Sequence, residues 1–331
     1  SQATRNEMYL NNGGTFSLAT NNNLNTSSRY TNDLAWGDID RDGDLDLVVA
    51  NNGIDEIYYN DGNGVFTIQD LDTRNAVSRA VVIGDYNNDG DLDIAIGYDD
   101  VHCTRLYYYS AADSFTPYDF TAAPCPDTYS LAWGDLNGDG FLDLVEGNDG
   151  VNRRYLRTGS PSFAGSDIGG ISRKSDSVVL GDWDNDGDLD LAVGNNSAAP
   201  GALNEVYENI NGTLYQNIAL GWSAELEDTT AAVTWADING DNKLDLAVGN
   251  DKLQINRLYM GSGQEMYADT AAFNLWQTND IHGVPAWADM DKDGDLDLAI
   301  NESGRLRLYR NENAQFVLAK TINHGRTFTN L

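Results

Sequence analysis

The sequence predicts an all-β fold in which one four-stranded unit is repeated along a single domain, residues 1–331. Three observations lead to this prediction. A nine-residue acidic cassette occurs six times, short apolar runs flank each copy, and two aromatic segments joined by a polar turn follow it. The cassettes span residues 38–46, 85–93, 135–143, 182–190, 237–245 and 289–297, and successive copies begin 47, 50, 47, 55 and 52 residues apart.

The apolar runs beside the cassettes are predicted to be buried strands. The first cassette lies between runs at 34–37 and 45–50, and the second between runs at 81–84 and 92–96. Continuous apolar character, rich in branched side chains, is typical of strands that are covered on both faces. Glycine or alanine ends the run before every cassette. Such small residues suit innermost strands that crowd a central axis.

An aromatic hairpin is predicted after each cassette, so that every repeat contains four strands. These hairpins span 58–66, 107–115, 155–163, 207–215, 259–267 and 309–316. Four strands in a repeat of about 50 residues predict a β-propeller. The hairpin pattern also occurs at 8–16, and residues 327–331 read as the start of another innermost strand. We therefore favour seven blades, the seventh incomplete and built from both termini, with six blades as the alternative.

The cassettes are predicted to bind calcium. The first places Asp at positions 1, 3, 5 and 9, and Gly43 at position 6 allows a sharp turn. Alternate side chains of such a loop converge on one point, where their repulsion requires a cation. All-oxygen ligands in a flexible loop favour Ca²⁺ over Mg²⁺. The helical calcium loop is excluded because position 12 is not Glu and the flanks read as strands.

We expect about six Ca²⁺ ions, one per cassette, held by the side chains at positions 1, 3, 5 and 9 and by the carbonyl oxygen at position 7. The predicted ligand residues are Asp38, Asp40, Asp42, Asp44, Asp46, Asp85, Asn87, Asp89, Asp91, Asp93, Asp135, Asn137, Asp139, Phe141, Asp143, Asp182, Asp184, Asp186, Asp188, Asp190, Asp237, Asn239, Asp241, Lys243, Asp245, Asp289, Asp291, Asp293, Asp295 and Asp297. The fifth cassette has Asn242 at position 6 and a cation-repelling Lys243 at position 7. Because Asn242 must adopt a left-handed conformation, we predict that this site is the weakest.

These residues resemble the FG-GAP or VCBS repeat, the calcium-binding blade of integrin α-subunit propellers and of many secreted proteins. Strand, cassette and strand match in six places, and the likeness covers nearly the whole chain. The resemblance implies calcium loops between the first two strands of each blade and ligand binding at the opposite face. Since the family does not share one activity, the resemblance does not supply the function.

The composition is that of an acidic protein, with 52 acidic and 20 basic residues and a net charge of −32. The cassettes contain 25 of these acidic residues and three basic ones. The negative charge that remains argues against nucleic acid or an anionic membrane as partner. No transmembrane run and no signal peptide is recognised, so we expect no membrane insertion. Low-affinity calcium sites fill where calcium is abundant, so an extracellular protein, secreted or at the cell surface, is expected.

The chain contains two cysteines, Cys103 and Cys125, both predicted to lie on the ligand-side face. A disulfide bond between them is predicted because secreted chains tend to pair their cysteines. Two buried free thiols are the alternative.

Function is expected in the residues that do not repeat. Trp222 and Trp276 lie in the long connections before the fifth and sixth cassettes, where an exposed ring beside polar groups can stack on a sugar. The alternative is that each Trp fills the blade beneath it. The candidate ligand-binding residues are Trp222, Glu225, Trp276, Asn279, Asp280, His282, Arg79 and Tyr129, and the same predicted face carries Arg29, Tyr30 and Tyr118.

Two further sets of residues do repeat and are predicted to be structural. One set occupies a position two residues before four of the cassettes and is expected in the core between blades: Trp36, Trp133, Trp235 and Trp287. The other set carries a hydroxyl seven residues before five of the cassettes and is expected to stabilise a turn: Thr31, Ser78, Thr128, Ser175 and Thr230.

The leading hypothesis is a non-catalytic extracellular module, such as a lectin or cell-adhesion domain, that binds a glycan or a protein. Calcium would hold the loops rigid. A polysaccharide lyase-like enzyme is the runner-up, since some lyases resemble this fold, but lyase chemistry needs a base and clustered cations. A structural subunit of a surface assembly, with homotypic contacts, is the third hypothesis.

Overall fold

A computed structural model of the chain describes residues 6–13, 15–20, 22–24, 29–99, 102–110, 114–120, 125–170, 172–196, 203–220, 229–250, 256–263, 265–268, 283–302, 305–312 and 315–323. These residues form 26 β-strands and no helix, which confirms the all-β prediction. Accordingly, no helix among them is long and apolar enough to span a membrane. The strands divide into two compact units, one of residues 1–135 and 139–167, the other of residues 136–138 and 168–331.

The first unit contains a short hairpin and three antiparallel four-stranded blades, which we call blades 1 to 3. The pairs Asn52–Val77 and Gly53–Ala76 join blades 1 and 2 into one sheet. The hairpin consists of β1 (Tyr9–Asn12) and β2 (Thr15–Leu18). Blade 1 consists of β3 (Tyr30–Gly37), β4 (Asp46–Gly53), β5 (Glu56–Asn60) and β6 (Phe66–Asp70). Blade 2 consists of β7 (Ala76–Gly84), β8 (Asp93–Tyr98), β9 (Arg105–Ser110) and β10 (Ser114–Asp119). Blade 3 consists of β11 (Asp127–Gly134), β12 (Asp143–Gly150), β13 (Arg153–Gly159) and β14 (Ser162–Asp167).

The second unit contains three sheets of the same design, blades 4 to 6. Blade 4 consists of β15 (Arg173–Gly181), β16 (Asp190–Asn195), β17 (Asn204–Ile210) and β18 (Thr213–Leu220). Blade 5 consists of β19 (Thr230–Ala236), β20 (Asp245–Asn250), β21 (Arg257–Gly261) and β22 (Met266–Ala268). Blade 6 consists of β23 (Val284–Ala288), β24 (Asp297–Glu302), β25 (Arg305–Asn311) and β26 (Phe316–Asn323). In every blade the cassette joins the first strand to the second.

In every blade, three residues that are paired across the first three strands contribute to the core. In blade 6, Leu298 of the second strand lies opposite Trp287 of the first strand and Tyr309 of the third. The second-strand residue of this set is buried in all six blades, as Leu47, Ile94, Leu144, Leu191, Leu246 and Leu298. Alternation across the pleat brings these apolar side chains to one face, so the repeated sequence pattern produces a repeated core.

Close packing between neighbouring blades explains the small residue before the cassette. A Cβ atom on Gly84 would lie 2.8 Å from Leu142 and 3.4 Å from Trp133 of the next blade. A Cβ atom on Gly181 would lie 2.9 Å from Trp235 in the same way. Trp133, Trp235 and Trp287 pack against buried clusters, as predicted. Trp36 differs, with 43% of its surface exposed, because no four-stranded blade precedes blade 1 among the described residues of its unit.

The blade count stays a prediction. The structure contains six four-stranded blades in its described residues, and the hairpin predicted at 8–16 is present as β1 and β2. Residues 327–331, the other half of the predicted seventh blade, lie outside the described residues.

Candidate metal centres and the opposite blade ends

The last Asp of each cassette, at position 9, is completely buried and ties the loop to its blade. In the first cassette, Asp46 accepts the Ile39 N–H through Oδ2 and the Asn60 N–H through Oδ1, both at 2.8 Å. In all six blades, a backbone N–H of the third strand donates to the position-9 carboxylate, with N–O distances of 2.7 to 2.9 Å. Because buried backbone amides need a partner, this carboxylate is structural as well as a candidate ligand.

Backbone amides curl each cassette around its first carboxylates. The Asp at position 1 accepts the N–H of position 6 in all six cassettes, at 2.7 to 3.2 Å. The Asp at position 5 accepts the N–H of position 7 in all six, at 2.9 to 3.0 Å. These bonds close two tight turns in succession, which places alternate side chains on the inner side of the loop.

The turns require a left-handed residue at two positions. At position 6, five glycines have φ between +85° and +100°, and Asn242 has φ of +63°, as the sequence predicts. At position 4, φ lies between +60° and +73° in all six cassettes, although only two of these residues are glycine. The residues at position 4 are Arg41, Asn88, Gly138, Asn185, Gly240 and Lys292.

Three cassettes gather carboxylates closely enough to hold a metal ion. Carboxylate oxygens of positions 1, 3 and 5 in the first cassette, and of positions 1, 3 and 9 in the fourth and sixth, lie within 4.8 Å of one another. Asp38 Oδ1 and Asp291 Oδ1 are buried, and neither has a hydrogen-bond partner among the described residues. A buried carboxylate oxygen without a donor is costly, so these oxygens fit a bound cation. The all-oxygen donor set selects a hard divalent ion.

Burial raises the pKa of four position-9 carboxyls, those of Asp46, Asp93, Asp190 and Asp245. Desolvation, the largest cause, raises the pKa of Asp93 and Asp190 to about 7 and that of Asp245 to about 6. Hydrogen bonds from backbone amides oppose this shift, and neighbouring cassette carboxylates add to it. A divalent cation in the loop would favour the ionised form, so metal binding and proton binding compete at these groups.

Side chains at position 7 contact neighbouring elements. Asp188 Oδ2 accepts the N–H of Asn211, which lies in the turn between β17 and β18, at 2.9 Å. The Phe141 ring lies against the guanidinium of Arg157, 3.8 Å from ring centroid to Cζ. Because both contacts use side-chain atoms, they do not involve the position-7 carbonyl oxygen, which is the predicted backbone ligand.

At the other end of the blades, a buried Asn closes the second strand. The pattern occurs in four blades, as Asn51, Asn148, Asn195 and Asn250. Its side-chain oxygen accepts the hydroxyl of the Thr or Ser twenty residues earlier, at 2.8 to 3.3 Å. Its backbone N–H donates to the side chain of an Asp or Asn that is the first residue of the next strand or directly precedes it, at 2.7 to 2.9 Å. The hydroxyls therefore stabilise the end of the blade, as the sequence predicts.

A β-bulge interrupts the first strand immediately after that hydroxyl residue in five of the described blades. The extra residues are Asn32, Arg79, Tyr129, Asp176 and Ala231. Bulges change the direction of a side chain and are common beside binding sites. In the first unit, Asn32 Nδ2 donates to the Ser78 carbonyl at 2.7 Å, and the Arg79 guanidinium lies 5.1 Å from the centroid of the Tyr129 ring.

Comparison with known proteins agrees with this geometry. The sequence profile of the FG-GAP-like repeat matches residues 1–49, 38–96, 135–193 and 237–300, more than half of the chain. The chain belongs to the FG-GAP-like repeat family. No curated protein sequence matches it.

Solved structures share the fold of this FG-GAP-like repeat protein. A lectin of Agrocybe aegerita that recognises non-reducing terminal N-acetylglucosamine superposes with a TM-score of 0.61 at 14% identity, over 93% of this chain and 85% of that chain. BBS1N in complex with ARL6DN, soaked with mercury, superposes with a TM-score of 0.61 at 15% identity, over 91% and 84%. At these identities the likeness shows the fold alone, which is a β-propeller.

The structure brings together two of the eight candidate ligand-binding residues. Arg79 and Tyr129 both occupy bulges and contact each other. The other six lie outside the described residues: Trp222, Glu225, Trp276, Asn279, Asp280 and His282. Of the further residues expected on that face, Arg29 is paired with Glu56 at 2.6 Å, and Tyr118 packs against Phe120 in the blade core.

The structure contains the predicted disulfide bond between Cys103 and Cys125, whose Cα atoms lie 4.9 Å apart. The bond ties the segment before β9 to the segment before β11. It therefore links blade 2 to the entrance of blade 3.

Proposed function

We propose that this FG-GAP-like repeat protein is a calcium-stabilised, non-catalytic binding module that acts outside the cell and binds a glycan with the bulged ends of its blades. The cassette residues at positions 1, 3, 5 and 9 and the carbonyl at position 7 would hold the ions. Calcium supplies the positive charge that lets several carboxylates share one loop. The chain's own amides and the position-9 carboxylates then keep each loop in one geometry.

The observation that carries the proposal is the contrast between the two ends of a blade. At the cassette end, the same hydrogen bonds recur in blade after blade. At the opposite end, a bulge in five blades presents a different side chain each time, and in four of these blades the hydroxyl and Asn pair stands beside it. A rigid frame with variable side chains is what specific recognition requires.

The chemistry of these side chains favours a neutral, hydroxyl-rich ligand. The Arg79 guanidinium donates to Asp99 through Nε at 3.1 Å, and Asp127 contributes a further negative charge beside it. Tyr129 adds a half-buried aromatic ring. Carboxylate, guanidinium and aromatic ring together can bind the hydroxyls and the apolar face of a sugar, whereas an acidic sugar would be repelled.

A lyase receives less support from these blade ends. Lyase chemistry would use a cation to neutralise a substrate carboxylate. Arg79 and Lys174, which flank or occupy bulges, are already paired with Asp99 and Asp176.

A glycan array on the calcium-loaded protein tests the proposal. Selective binding to neutral glycans is expected, with loss of the signal in EDTA and in the Arg79→Ala and Tyr129→Ala variants. Tyr215→Ala is the matched control, because Tyr215 is an aromatic residue on an outer strand with 52% of its surface exposed. The Trp222→Ala and Trp276→Ala variants extend the test to the candidates outside the described residues.

Array results would also separate the alternatives. Equal loss in Tyr215→Ala and Tyr129→Ala would contradict a site at the bulges. Absence of binding to any glycan would contradict the glycan ligand and favour a protein ligand or homotypic assembly, which light scattering over a range of concentrations would detect.

A further inference from the structure

Three side chains at position 4 of a cassette reach into the cassette of the next blade. Asn88 Nδ2 donates to the carbonyl oxygen of Gly140, at position 6 of the third cassette, at 2.6 Å. Asn185 Nδ2 donates to the carbonyl oxygen of Asn242, at position 6 of the fifth cassette, at 3.1 Å. Arg41 pairs with Asp91, at position 7 of the second cassette, at 2.8 Å.

We propose that these position-4 side chains couple neighbouring cassettes, so that filling one cassette with calcium strengthens calcium binding in the next. The proposal rests on the proposed calcium function and adds a new role for residues that are not themselves ligands. It concerns the first to second, second to third and fourth to fifth cassettes, and the two residues that make each of these contacts belong to the same compact unit.

The position-4 side chain binds the next cassette beside that cassette's predicted ligands at positions 5 and 7. The carbonyl of position 6 and the N–H of position 7 belong to one rigid peptide plane. In the fifth cassette, Asn185 binds the Asn242 carbonyl at one end of this plane, and the Lys243 N–H donates to Asp241 at 3.0 Å at the other. Holding the plane therefore orients the position-5 carboxylate and the chain that leads to the position-7 carbonyl.

The position-4 side chain, which donates the hydrogen bond, depends on the ion bound in its own cassette. Position 4 lies between the ligands at positions 3 and 5 and has a left-handed conformation, with φ of +61° at Asn185 and +60° at Asn88. A non-glycine residue keeps this conformation only when its surroundings require it. An ion bound to positions 3 and 5 supplies that requirement, so it also aims the position-4 side chain. Coupling between two binding sites is reciprocal, so each filled cassette supports the other.

The fifth cassette allows a comparison with the cassettes whose position-4 side chain contacts the next cassette. Position 4 there is Gly240, which has no side chain to reach the sixth cassette. We therefore expect the sixth cassette to fill independently of the fifth. The fifth, with its unfavourable Asn242 and Lys243, depends most on its neighbour.

Substitution by glycine tests the coupling without disturbing the turn, because Gly138 and Gly240 show that glycine occupies position 4 with φ of +73° and +71°. The experiment is a calcium titration followed by hydrogen–deuterium exchange and mass spectrometry, in which peptides that cover each cassette report its own midpoint. Asn185→Gly is expected to raise the midpoint of the fifth cassette about three- to ten-fold, as the loss of one hydrogen bond implies. Asn88→Gly should do the same for the third.

The readout is specific because the substituted residue lies outside the cassette that is measured. Lys292→Gly is the matched control, since the Lys292 side chain makes no hydrogen bond to another cassette within the described part of the chain. It should leave the fifth midpoint unchanged. If calcium protects no cassette, the proposed calcium function fails. If calcium protects the cassettes but Asn185→Gly and Asn88→Gly leave the fifth and third midpoints at their wild-type values, the coupling is wrong.

Discussion

The Asp190→Asn substitution separates the structural role of a cassette carboxylate from its role as a ligand. Asp190 is fully buried, and its two oxygens accept the N–H groups of Asn209 at 2.8 Å and Trp183 at 3.0 Å. Asn has the same shape but only one acceptor oxygen, so one buried amide would face an NH₂ group. Leaving a buried donor unsatisfied costs about 1–3 kcal/mol, and this cost does not depend on metal.

Asp184→Asn provides the matched comparison in the same cassette. The Asp184 carboxylate accepts one N–H, from Asp186 at 3.2 Å, in an exposed part of the loop. Asn keeps an acceptor for that bond, so the free energy of unfolding without metal should change by less than about 0.5 kcal/mol. With calcium, both variants should lose part of the stabilisation that the ion supplies, which is about 2.7 kcal/mol per site at a calcium concentration of 100 times Kd.

Urea unfolding measures the cost of the lost hydrogen bond and the loss of stabilisation by calcium. Tryptophan fluorescence follows the unfolding, once in EDTA and once in calcium. The pH is near 8 because a carboxyl with a pKa of about 7 is ionised there. Wild-type protein should unfold at lower urea in EDTA than in calcium. In calcium, where the ion offsets the cost of burying the Asp190 charge, Asp190→Asn should be less stable than Asp184→Asn. Equal stability of the two variants in calcium would refute the structural role of Asp190. A wild-type curve that EDTA leaves unchanged would refute the stabilisation by calcium.

Three further predictions concern pH, the fifth cassette and the disulfide bond. Because the pKa of Asp93 and Asp190 is raised from 3.8 to about 7, the metal-free protein should lose stability as pH rises from about 4 to 7, while calcium binding strengthens. The difference in Tm between the calcium-loaded and the EDTA-treated protein, measured by calorimetry, should therefore widen over that pH range. A difference that narrows would contradict this prediction. Lys243→Asp should lower the calcium midpoint of the fifth cassette in an exchange titration, and an unchanged midpoint would show that charge repulsion is not what weakens it. Replacing Cys103 and Cys125 by Ser should reduce the free energy of unfolding by about 3 kcal/mol, as their separation of 22 residues implies, and a variant with wild-type stability in urea would contradict this.

Much of the candidate metal site could be predicted from sequence because its signals are local. The cassette fits nine consecutive residues, and its turn needs glycine or Asn at position 6, as at Asn242. The apolar runs on either side predict strands without reference to anything distant. The position-7 side chains illustrate the limit, since nothing in the cassette shows that Asp188 would bind the backbone of Asn211 in a later hairpin.

Other functional residues left a signal that sequence analysis missed. An Asn stands five residues after the cassette in four repeats, and its partner hydroxyl stands twenty residues before it. The repeated pattern predicts that the hydroxyls stabilise a turn, but it does not predict the Asn that accepts their hydrogen bonds. The two could have been paired by their constant separation. The bulge beside them left no such signal, because Arg79, Tyr129 and Ala231 share no property.

By itself, the sequence determined the all-β class, the four-stranded repeat and the position of every cassette, because each follows from residue types at short, regular spacings. Only the tertiary structure decided that the buried Asp at position 9 binds the third strand, that position 4 contacts the next cassette, and that a bulge brings Arg79 to Tyr129. These features depend on strand register and on contacts between residues about 15 to 60 positions apart. Side-chain packing between blades sets those contacts, and a local pattern of residue types does not record them.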